Sequence, residues 1–461
     1  MLSYLELKNF KSFSNVKIDL RGPHNVPKKT VFIYGENGSG KSNLMLSFLF
    51  LCKSTETLRN QEGFKDFEKS NIAKVLADEK DADLRQDIFK QLLKNQFFSL
   101  SDLISEYKSL MNNDHMSIEL GFYLNGKNGS YHIVFDNDSV IFEELKFQIS
   151  ERVGTMFSIS AEKDTVQLSP STFINNEYRN ELLRDIEKYW GKHTFLGILY
   201  NEIKSKNLKF IRGELSDNLL DVLFWISKIS ILCKFGNVEA AKISTSYPFL
   251  RELKEGVLKQ NLKYQLIAFE KALNSLFTHL YSDIKKVYYK LTPIKGEYKY
   301  ELYFKKQIDG LTIDIPVSLE STGTQKLLEF FPLLFCSING STVLIDEIDS
   351  GIHDLLMLNI IEFLKEFENF DGQFIATTHN TLLMSSLKKD DVYIISSDSY
   401  GNKEIICIND FEFRTQKNNN IQKKYLSGEY GGIPYTGYLD LEELSNDIKL
   451  DLTPKNKHKQ N

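Results

Sequence analysis

The chain has 461 residues, of which 42% are hydrophobic and 26% charged, and this composition excludes a disordered protein. Its 57 basic and 62 acidic residues give a net charge of −5, which disfavours coating of nucleic acid through bulk charge but leaves a local basic groove open. The four cysteines are far apart and form no CxxC pair, so neither a zinc site nor a disulfide framework is expected.

The N-terminus does not predict export or membrane insertion. Charged residues occur at Glu6 and Lys8, where a signal peptide would need an uninterrupted apolar region. The longest apolar runs, Leu44–Cys52 and Phe330–Cys336, are much shorter than the roughly 20 residues that span a bilayer. We therefore expect a cytoplasmic protein without a membrane partner.

The first elements follow the order strand, glycine loop, helix. Residues 2–20 alternate as a strand does, Thr30–Tyr34 is a short apolar β-rich run, and helical periodicity begins at Leu44. Between strand and helix lies a match to G-x-x-x-x-G-K-[ST], formed by Gly35, Glu36, Asn37, Gly38, Ser39, Gly40, Lys41 and Ser42. Such a loop turns consecutive backbone N–H groups toward one anion, with Lys41 on the β- and γ-phosphates and Ser42 on Mg²⁺. The loop therefore predicts ATP binding.

The middle of the chain changes periodicity twice. Residues 56–112 are charged and helical in rhythm, with a solvated face at 78–87, and 116–168 alternate with period two around hairpin turns. Residues 171–290 return to a helical pattern, whose most apolar segment, Asn218–Cys233, predicts a buried helix. Because no heptads are sustained over several turns, a long coiled-coil arm is not supported.

The last third alternates strands and helices. Strands are predicted at Lys299–Lys305, Leu311–Val317, Thr342–Ile345 and Gln373–Thr377, and helices at Gln325–Phe335 and Leu355–Phe367. Continuously apolar strands between helices predict a parallel α/β core. We expect a discontinuous core, with the phosphate loop and an antiparallel β lobe in 1–170, a helical insertion in 171–290, and the rest of the core with a tail in 291–461.

Two strand ends carry further candidate residues. Asp346 and Glu347 follow the apolar strand Thr342–Ile345, so Asp346 is expected to hold Mg²⁺ and Glu347 to act as the base for the attacking water. His379 follows the next strand about thirty residues later and should emerge at the same sheet edge, as a sensor of the γ-phosphate. A strand followed by Asp-Glu is by itself a common surface turn, and its combination with the glycine loop is what favours function.

The small residues Ser321 and Gly323 precede a predicted helix. Backbone N–H groups at a helix N-terminus, together with a hydroxyl, can bind an anion. An ordinary N-cap is the competing interpretation of Ser321.

The order of these motifs resembles the ATP-binding-cassette heads of the SMC and recombination-repair class. LELKNFKSF (5–13), YGENGSGKSN with Asn43, and IDEIDSGIH with its D-loop at Asp349–His353 all fit that class. The resemblance implies an ABC-type (SMC-like) P-loop head with a split core and an inserted helical subdomain. It also implies that Ser321 and Gly323 of one subunit complete the ATP site of another, in at least a head-to-head dimer.

The C-terminal third narrows the resemblance. The segments TTHNTLLMSS (377–386), LKKDDVYII (387–395), INDFEFR (408–414) and KKYLSGEYGGIPY (423–435) are similar to abortive-infection ATPases of prokaryotic anti-phage systems, of the AbiLi, RloA and AriA kind. The similarity covers roughly 1–170 and 290–440. It implies an ATP-hydrolysing sensor or scaffold that controls a separate effector, such as a Toprim-type nuclease. The tail after His379 has no apolar strand ending in a DxD pair, which argues against a fused nuclease.

The sequence departs from the class in two places. The signature element reads STGTQ where a transporter has LSGGQ, and the metal-sensing glutamine has two candidates, Gln96 and Gln148. A DNA-repair head that binds DNA ends is the alternative function, with nucleic acid as partner and a basic, aromatic-lined surface as its expected mark. A membrane-transport ATPase is disfavoured, because it requires a transmembrane partner and a better signature.

Overall fold

The computed structural model describes residues 1–68, 98–110, 113–149, 152–235, 238–367, 370–411, 420–434 and 440–443, together with residues 445 and 448. The strands in chain order are β1 (Leu2–Phe10), β2 (Phe13–Asp19), β3 (Thr30–Gly35), β4 (Met116–Leu124), β5 (Lys127–Phe135), β6 (Val140–Gln148), β7 (Val153–Ser160), β8 (Thr165–Leu168), β9 (Ser230–Phe235), β10 (Val238–Lys242), β11 (Glu255–Lys259), β12 (Ile284–Ile294), β13 (Glu297–Ile308), β14 (Leu311–Pro316), β15 (Thr342–Ile345), β16 (Gln373–Thr377), β17 (Val392–Ser397) and β18 (Lys403–Cys407). The α-helices are α1 (Lys41–Ser54), α2 (Thr57–Glu68), α3 (Leu100–Tyr107), α4 (Asn176–Tyr189), α5 (Phe195–Ser205), α6 (Leu208–Glu214), α7 (Asp217–Ser227), α8 (Lys263–Leu280), α9 (Thr322–Ile338), α10 (Asp354–Glu366) and α11 (Ile421–Leu426).

The N-terminal strands form an antiparallel sheet in the order β2-β1-β4-β5-β6-β7-β8. Buried and less buried residues alternate along β1 and β5, as expected of a sheet with one face in the core. Leu5 pairs with Ile18 of β2 on one side and Leu120 of β4 on the other. The predicted antiparallel strands of 116–168 are therefore confirmed.

The central sheet has the order β10-β9-β15-β16-β3-β17-β18. Its inner neighbours are parallel, whereas the edge strands β10 and β18 pair antiparallel. All residues of β3, β15 and β16 are buried, as expected of a parallel sheet covered on both faces. These strands come from both ends of the chain, which confirms the predicted parallel α/β core and its split between the two ends of the sequence.

Alternate residues of the phosphate-loop strand face opposite sides of the central sheet. Val31 and Ile33 belong to a hydrophobic cluster shared with the antiparallel sheet and α1, and Phe32 and Tyr34 to a second cluster shared with α9 and α10. The strand is therefore covered on both sides, and the loop that follows it is anchored in the core of the molecule.

The segment predicted as the buried helix Asn218–Cys233 contains a helix and a strand. Helix α7 ends at Ser227, and β9 then joins the central sheet parallel to β15. A short apolar run suits a buried helix and a buried strand equally, so periodicity could not separate them. The predicted helical insertion, 171–290, accordingly carries its α-helices α4–α7 up to Ser227 and then mixes strands with α8.

A third sheet has the order β11-β13-β12, with β14 also pairing with β13. It leads into α9, the helix that Ser321 caps. Among the described residues, no helix combines the length and the apolar content needed to cross a bilayer. The predicted solvated face at 78–87, the candidate Gln96 and the last residue of the 423–435 motif lie outside the described residues.

Candidate nucleotide site

The phosphate loop connects the buried strand β3 to α1. Gly38 (φ +82°) and Gly40 (φ +111°) adopt left-handed backbone conformations that favour glycine. A Cβ atom added at Gly40 would lie 2.8 Å from the Phe13 ring, so this position also needs the absence of a side chain. Both glycines are therefore required by the local backbone and its packing.

Lys41 is buried at the start of α1, and its ammonium group folds back over the loop. The Nζ atom donates to the carbonyl oxygens of Gly35 and Glu36, each at 2.8 Å. Burial lowers the pKa of Lys41, and the negative charges of Asp346 and Glu347 oppose this effect. The Ser39 hydroxyl is buried and has no hydrogen-bond partner among the described residues. The loop thus presents a cation and a free hydroxyl side by side.

Asp346 lies at the carboxyl end of β15. Its backbone N–H donates to the Leu232 carbonyl of β9 at 2.8 Å, and its Oδ1 accepts from the Thr377 hydroxyl at 2.6 Å. Its Oδ2 is buried and has no hydrogen-bond partner among the described residues. Burying an unpaired carboxylate oxygen is costly, so this atom fits a cation ligand.

The residues present fit Mg²⁺ only if the nucleotide supplies the other ligands. Within the described residues, no group of three or more His, Cys, Asp or Glu side chains could hold a metal ion alone. Mg²⁺ typically binds one or two protein oxygens and completes its shell with phosphates and water. Asp346 and Ser42, the second residue of α1, match that pattern.

Glu347 adopts φ +49°, a left-handed conformation that is uncommon for a residue with a side chain. The Thr377 hydroxyl accepts its backbone N–H at 2.8 Å, and the Thr377 carbonyl accepts the N–H of Ile348 at 3.0 Å. Strain of this kind, about 1–3 kcal/mol, persists where the surroundings enforce it and clusters at functional sites. Thr377 therefore orients both acidic residues, a role that sequence reasoning missed.

His379 follows β16 and lies beside the same acidic residues. Its backbone N–H donates to Asp349 Oδ2 at 3.4 Å, and Asp349 Oδ1 is buried with no described hydrogen-bond partner. Burial lowers the pKa of His379, and the charge of Lys41 lowers it further. Because β16 lies parallel to β3, His379 follows its strand at the same sheet edge as the phosphate loop, as predicted.

Ser321 and Gly323 stand at the start of α9. The Ser321 hydroxyl accepts the Thr324 N–H at 3.2 Å, which is N-cap geometry, and Ser321 is exposed. A Cβ at Gly323 would lie 3.2 Å from the Gly351 carbonyl in the D-loop segment. The structure thus brings the signature element next to the D-loop, and the role of Ser321 in a second subunit's site stays a prediction.

Two residues that contact the loop, Lys403 and Gly432, were not predicted as site residues, whereas Asn43 and Gln148 were named as candidates. Lys403 of β18 donates to the Gly38 carbonyl at 3.0 Å, and Gly432 packs on Gly35. Asn43 donates to the Ser12 hydroxyl at 2.7 Å. Gln148 ends β6 and accepts the Asn128 N–H at 3.4 Å, so its assignment as metal sensor stays a prediction. Only proximity in sequence could have linked such residues to the loop, and Lys403 and Gly432 lie far from it.

Two known proteins are similar to most of this chain. The chain is 24% identical to an "ATP/GTP phosphatase" of Helicobacter pylori over 428 residues, covering 87% of this chain and 96% of the relative. It is 25% identical to the "Retron Vc95 probable ATPase" of Vibrio cholerae over 425 residues, covering 87% and 74%.

Solved structures of SMC heads are also similar. The SMC head domain from Thermotoga maritima matches with a TM-score of 0.36 and 17% identity, covering 88% of this chain and 98% of that one. An SMC head bound to the C-winged helix domain of ScpA matches with a TM-score of 0.42 and 15% identity, covering 88% and 96%.

The family model described as "AAA domain, putative AbiEii toxin, Type IV TA system" matches residues 31–385. This range includes the phosphate loop, Asp346, Glu347 and His379. Since it spans more than half of the sequence, the chain belongs to this family of AAA domains and is a P-loop ATPase.

Proposed function

We propose that the protein binds ATP with Mg²⁺ and hydrolyses it slowly to ADP and phosphate, with Glu347 as the base. The observation that carries this proposal is the parallel pairing of β15, β16 and β3, which brings Asp346, Glu347, His379 and the loop with Lys41 to one sheet edge, where a buried oxygen of Asp346 has no described hydrogen-bond partner. A cation facing two carboxylates and a histidine is an arrangement suited to phosphoryl transfer.

Each residue has a distinct task in the proposed reaction. Lys41 leaves the Gly35 and Glu36 carbonyls and binds the β- and γ-phosphates, while the loop N–H groups surround them. Glu347, oriented by Thr377, accepts a proton from the attacking water, and His379 contacts the γ-phosphate. Mg²⁺, held by Ser42 and Asp346, supplies charge neutralisation when bound.

The proposed active unit is a head-to-head dimer in which Ser321 and Gly323 reach the ATP of the partner. Ser321 is exposed, and so are Leu319, two residues before it, at 75%, and Leu355 in the first turn of α10, just after the D-loop, at 56%. Exposed leucines in the signature segment and just after the D-loop are consistent with a surface that a second subunit covers. ATP would then stabilise the closed dimer, and hydrolysis would release it.

Substitution of Glu347 tests the base and the dimer together. Glu347→Gln should bind ATP but not turn it over, because the amide cannot accept a proton, and it should accumulate as an ATP-dependent dimer in light scattering. Adding Ser321→Arg should abolish that dimer while ATP binding persists. Wild-type turnover in Glu347→Gln would refute the assignment of Glu347 as the base. Unaltered ATP-dependent association in the double variant would refute the proposal that Ser321 reaches the ATP of the partner subunit.

The proposed cellular role is in anti-phage defence, as an abortive-infection sensor that controls a separate effector such as a Toprim-type nuclease. The similarity to a retron ATPase and the family's toxin–antitoxin description support this direction. Phage plating on cells that carry the whole locus should show protection that Lys41→Ala and Glu347→Gln remove. We expect a neighbouring gene to encode a nuclease or toxin, and we expect the product of that gene to co-purify with this chain. A locus without such a gene would contradict the role.

A basic cleft favours a second candidate, an SMC-like repair ATPase acting on DNA ends. The cleft has a volume of about 950 Å³ and lies beside the β9–β10 edge of the central sheet. Its lining includes five basic and two tyrosine side chains, namely Arg59, Lys204, Lys228, Lys242, Arg251, Tyr200 and Tyr247. Basic residues interleaved with aromatic rings suit single-stranded nucleic acid.

A charge reversal separates the two candidates. Lys204→Glu/Lys228→Glu should weaken binding to labelled DNA and reduce its salt dependence, each lost phosphate contact lowering the slope of log K against log salt by about 0.9. Lys285→Glu/Lys286→Glu on β12 is the control, because it makes the same charge change on another exposed surface. Equal DNA binding by all three proteins would exclude this cleft as the DNA site.

A further inference from the structure

The C-terminal part of the chain contacts the phosphate loop at a carbonyl group. The ammonium of Lys403, the first residue of β18, donates to the Gly38 carbonyl at 3.0 Å and to the Ser12 hydroxyl at 2.7 Å. It also lies 5.6 Å from the centre of the Phe13 ring, the ring that packs under Gly40. Burial lowers the pKa of Lys403, and the carboxylate of Glu36 in the same loop opposes this.

The carbonyl that Lys403 contacts matters for anion binding. In a phosphate loop the N–H groups point inward to the anion, so the carbonyls point outward and need other donors. A donor on the Gly38 carbonyl fixes the peptide that links Gly38 to Ser39. The Ser12 hydroxyl also accepts from Asn43 of α1, and this connects Lys403 to the helix that follows the loop.

A second contact holds the start of the loop. Gly431 (φ +69°) and Gly432 (φ +68°) make a consecutive left-handed turn in the 423–434 segment. A Cβ at Gly432 would lie 2.6 Å from Ile394 Cγ2, 3.0 Å from the Ile395 carbonyl and 3.4 Å from Gly35 Cα. The turn therefore sits directly on the residue where β3 becomes the phosphate loop.

The turn is itself held by Tyr425 of α11. The Tyr425 hydroxyl donates to the Gly432 carbonyl at 2.9 Å, and its ring packs edge-on against Tyr34, with centroids 5.8 Å apart. Tyr34 in turn donates to the Asn380 carbonyl, next to His379, at 3.1 Å. The 423–434 motif, whose function the nucleotide site alone does not explain, thus bridges the phosphate loop and the histidine segment.

We propose that Lys403 and Gly432 are positioning residues for the nucleotide, which clamp the phosphate loop at Gly38 and at Gly35 in its anion-binding shape. The proposal rests on the proposed function, because it concerns the same ATP site. The clamp acts on the part of the loop that would surround the β-phosphate, which ATP and ADP share. Loss of the clamp should therefore weaken the binding of ATP and of ADP by the same factor. Turnover at saturating ATP should change little, since neither residue contacts the groups around Glu347.

Calorimetry with ATP and with ADP tests the clamp on the full chain. Lys403→Met should lower the affinity for both nucleotides about tenfold and raise KM without a matching fall in kcat. Lys403→Arg keeps the charge and the donors and should stay within about threefold of wild type. Lys29→Met is the matched control, because Lys29 also donates to a backbone carbonyl, that of Phe370, but lies before β3 at the end opposite the loop.

The glycine turn has its own matched pair. Gly432→Ala combines a strained φ with a collision and should lower nucleotide affinity about tenfold, whereas Gly310→Ala has φ +79° and open space around its Cβ and should not change affinity. Tyr425→Phe, which keeps the ring and loses the bond to Gly432, replaces Gly432→Ala if that variant does not fold.

The outcomes distinguish this inference from the proposed function. A wild-type chain that does not bind ATP, or a Lys41→Ala chain that binds it equally well, would refute the proposed function itself. Wild-type binding together with unchanged affinity in folded Lys403→Met or in the folded glycine-turn variant would overturn the clamp. A lower melting temperature with unchanged nucleotide affinity would likewise show that the contacts are only structural.

Discussion

Replacing Thr377 by valine removes one buried hydroxyl that serves both acidic residues of the site. Thr377 is fully buried, and its Oγ1 donates to Asp346 at 2.6 Å and accepts from the Glu347 N–H at 2.8 Å. Valine has nearly the same shape, so no cavity forms and the change isolates the two hydrogen bonds.

The expected loss of stability follows from the two hydrogen bonds that the Thr377 hydroxyl makes. A hydrogen bond to a charged group contributes about 1.5–3 kcal/mol and one to a backbone N–H about 0.5–1.5 kcal/mol. We therefore expect Thr377→Val to lower the free energy of unfolding by about 2–4 kcal/mol. Glu347 also loses the tether that holds its left-handed backbone, and a displacement of about 1 Å can reduce kcat by about 100-fold.

Urea denaturation and phosphate release at saturating ATP measure the two effects. Thr377→Ser is the control, because it keeps the hydroxyl and loses only a methyl group, at a cost of about 1 kcal/mol. Wild-type stability in Thr377→Val would refute the hydrogen-bond reasoning. A destabilised variant with wild-type kcat would refute the part that concerns Glu347.

Three further predictions concern single residues. Lys41→Ala should abolish tight ATP binding in calorimetry while circular dichroism stays native. Glu143 accepts four donors (Tyr131, Trp190, Phe195 and Leu196), so Glu143→Gln must turn an NH₂ toward two of them and should lose about 2–4 kcal/mol of stability with ATP affinity unchanged. Because the pKa of His379 is lowered in the folded state, its contribution to the free energy of unfolding should be fully present above about pH 6.5 and should be lost as the pH drops through the lowered value. In urea titrations, His379→Gln should flatten this dependence on pH.

The part of the site that could be predicted consists of residues that are contiguous in the sequence. The loop Gly35–Ser42 and the strands before Asp346 and His379 carry their chemistry and their secondary structure in the same short segments, and the strands Thr342–Ile345 and Gln373–Thr377 were predicted to the residue. Parallel strands end at one edge of a sheet, so their meeting could be inferred.

The unpredicted part depends on contacts between distant segments. Thr377 looks like any strand threonine until the sheet places it between Asp346 and Glu347. Lys403 and Gly38 are separated by 365 positions, and no local pattern connects them. Strand β9 was missed because a short apolar run has the same composition in a buried strand as in a buried helix.

The order of strands in the central sheet has a consequence for synthesis on the ribosome. The antiparallel sheet uses only residues up to Leu168 and can close early, but β3 pairs with β16 and β17, which begin at Gln373 and Val392. At 5–20 residues per second, the strand that carries the phosphate loop waits roughly 17–70 s for its first neighbour. During that time its backbone edges are unpaired, which exposes the nascent chain to misassociation and makes ATP binding one of the last properties to appear.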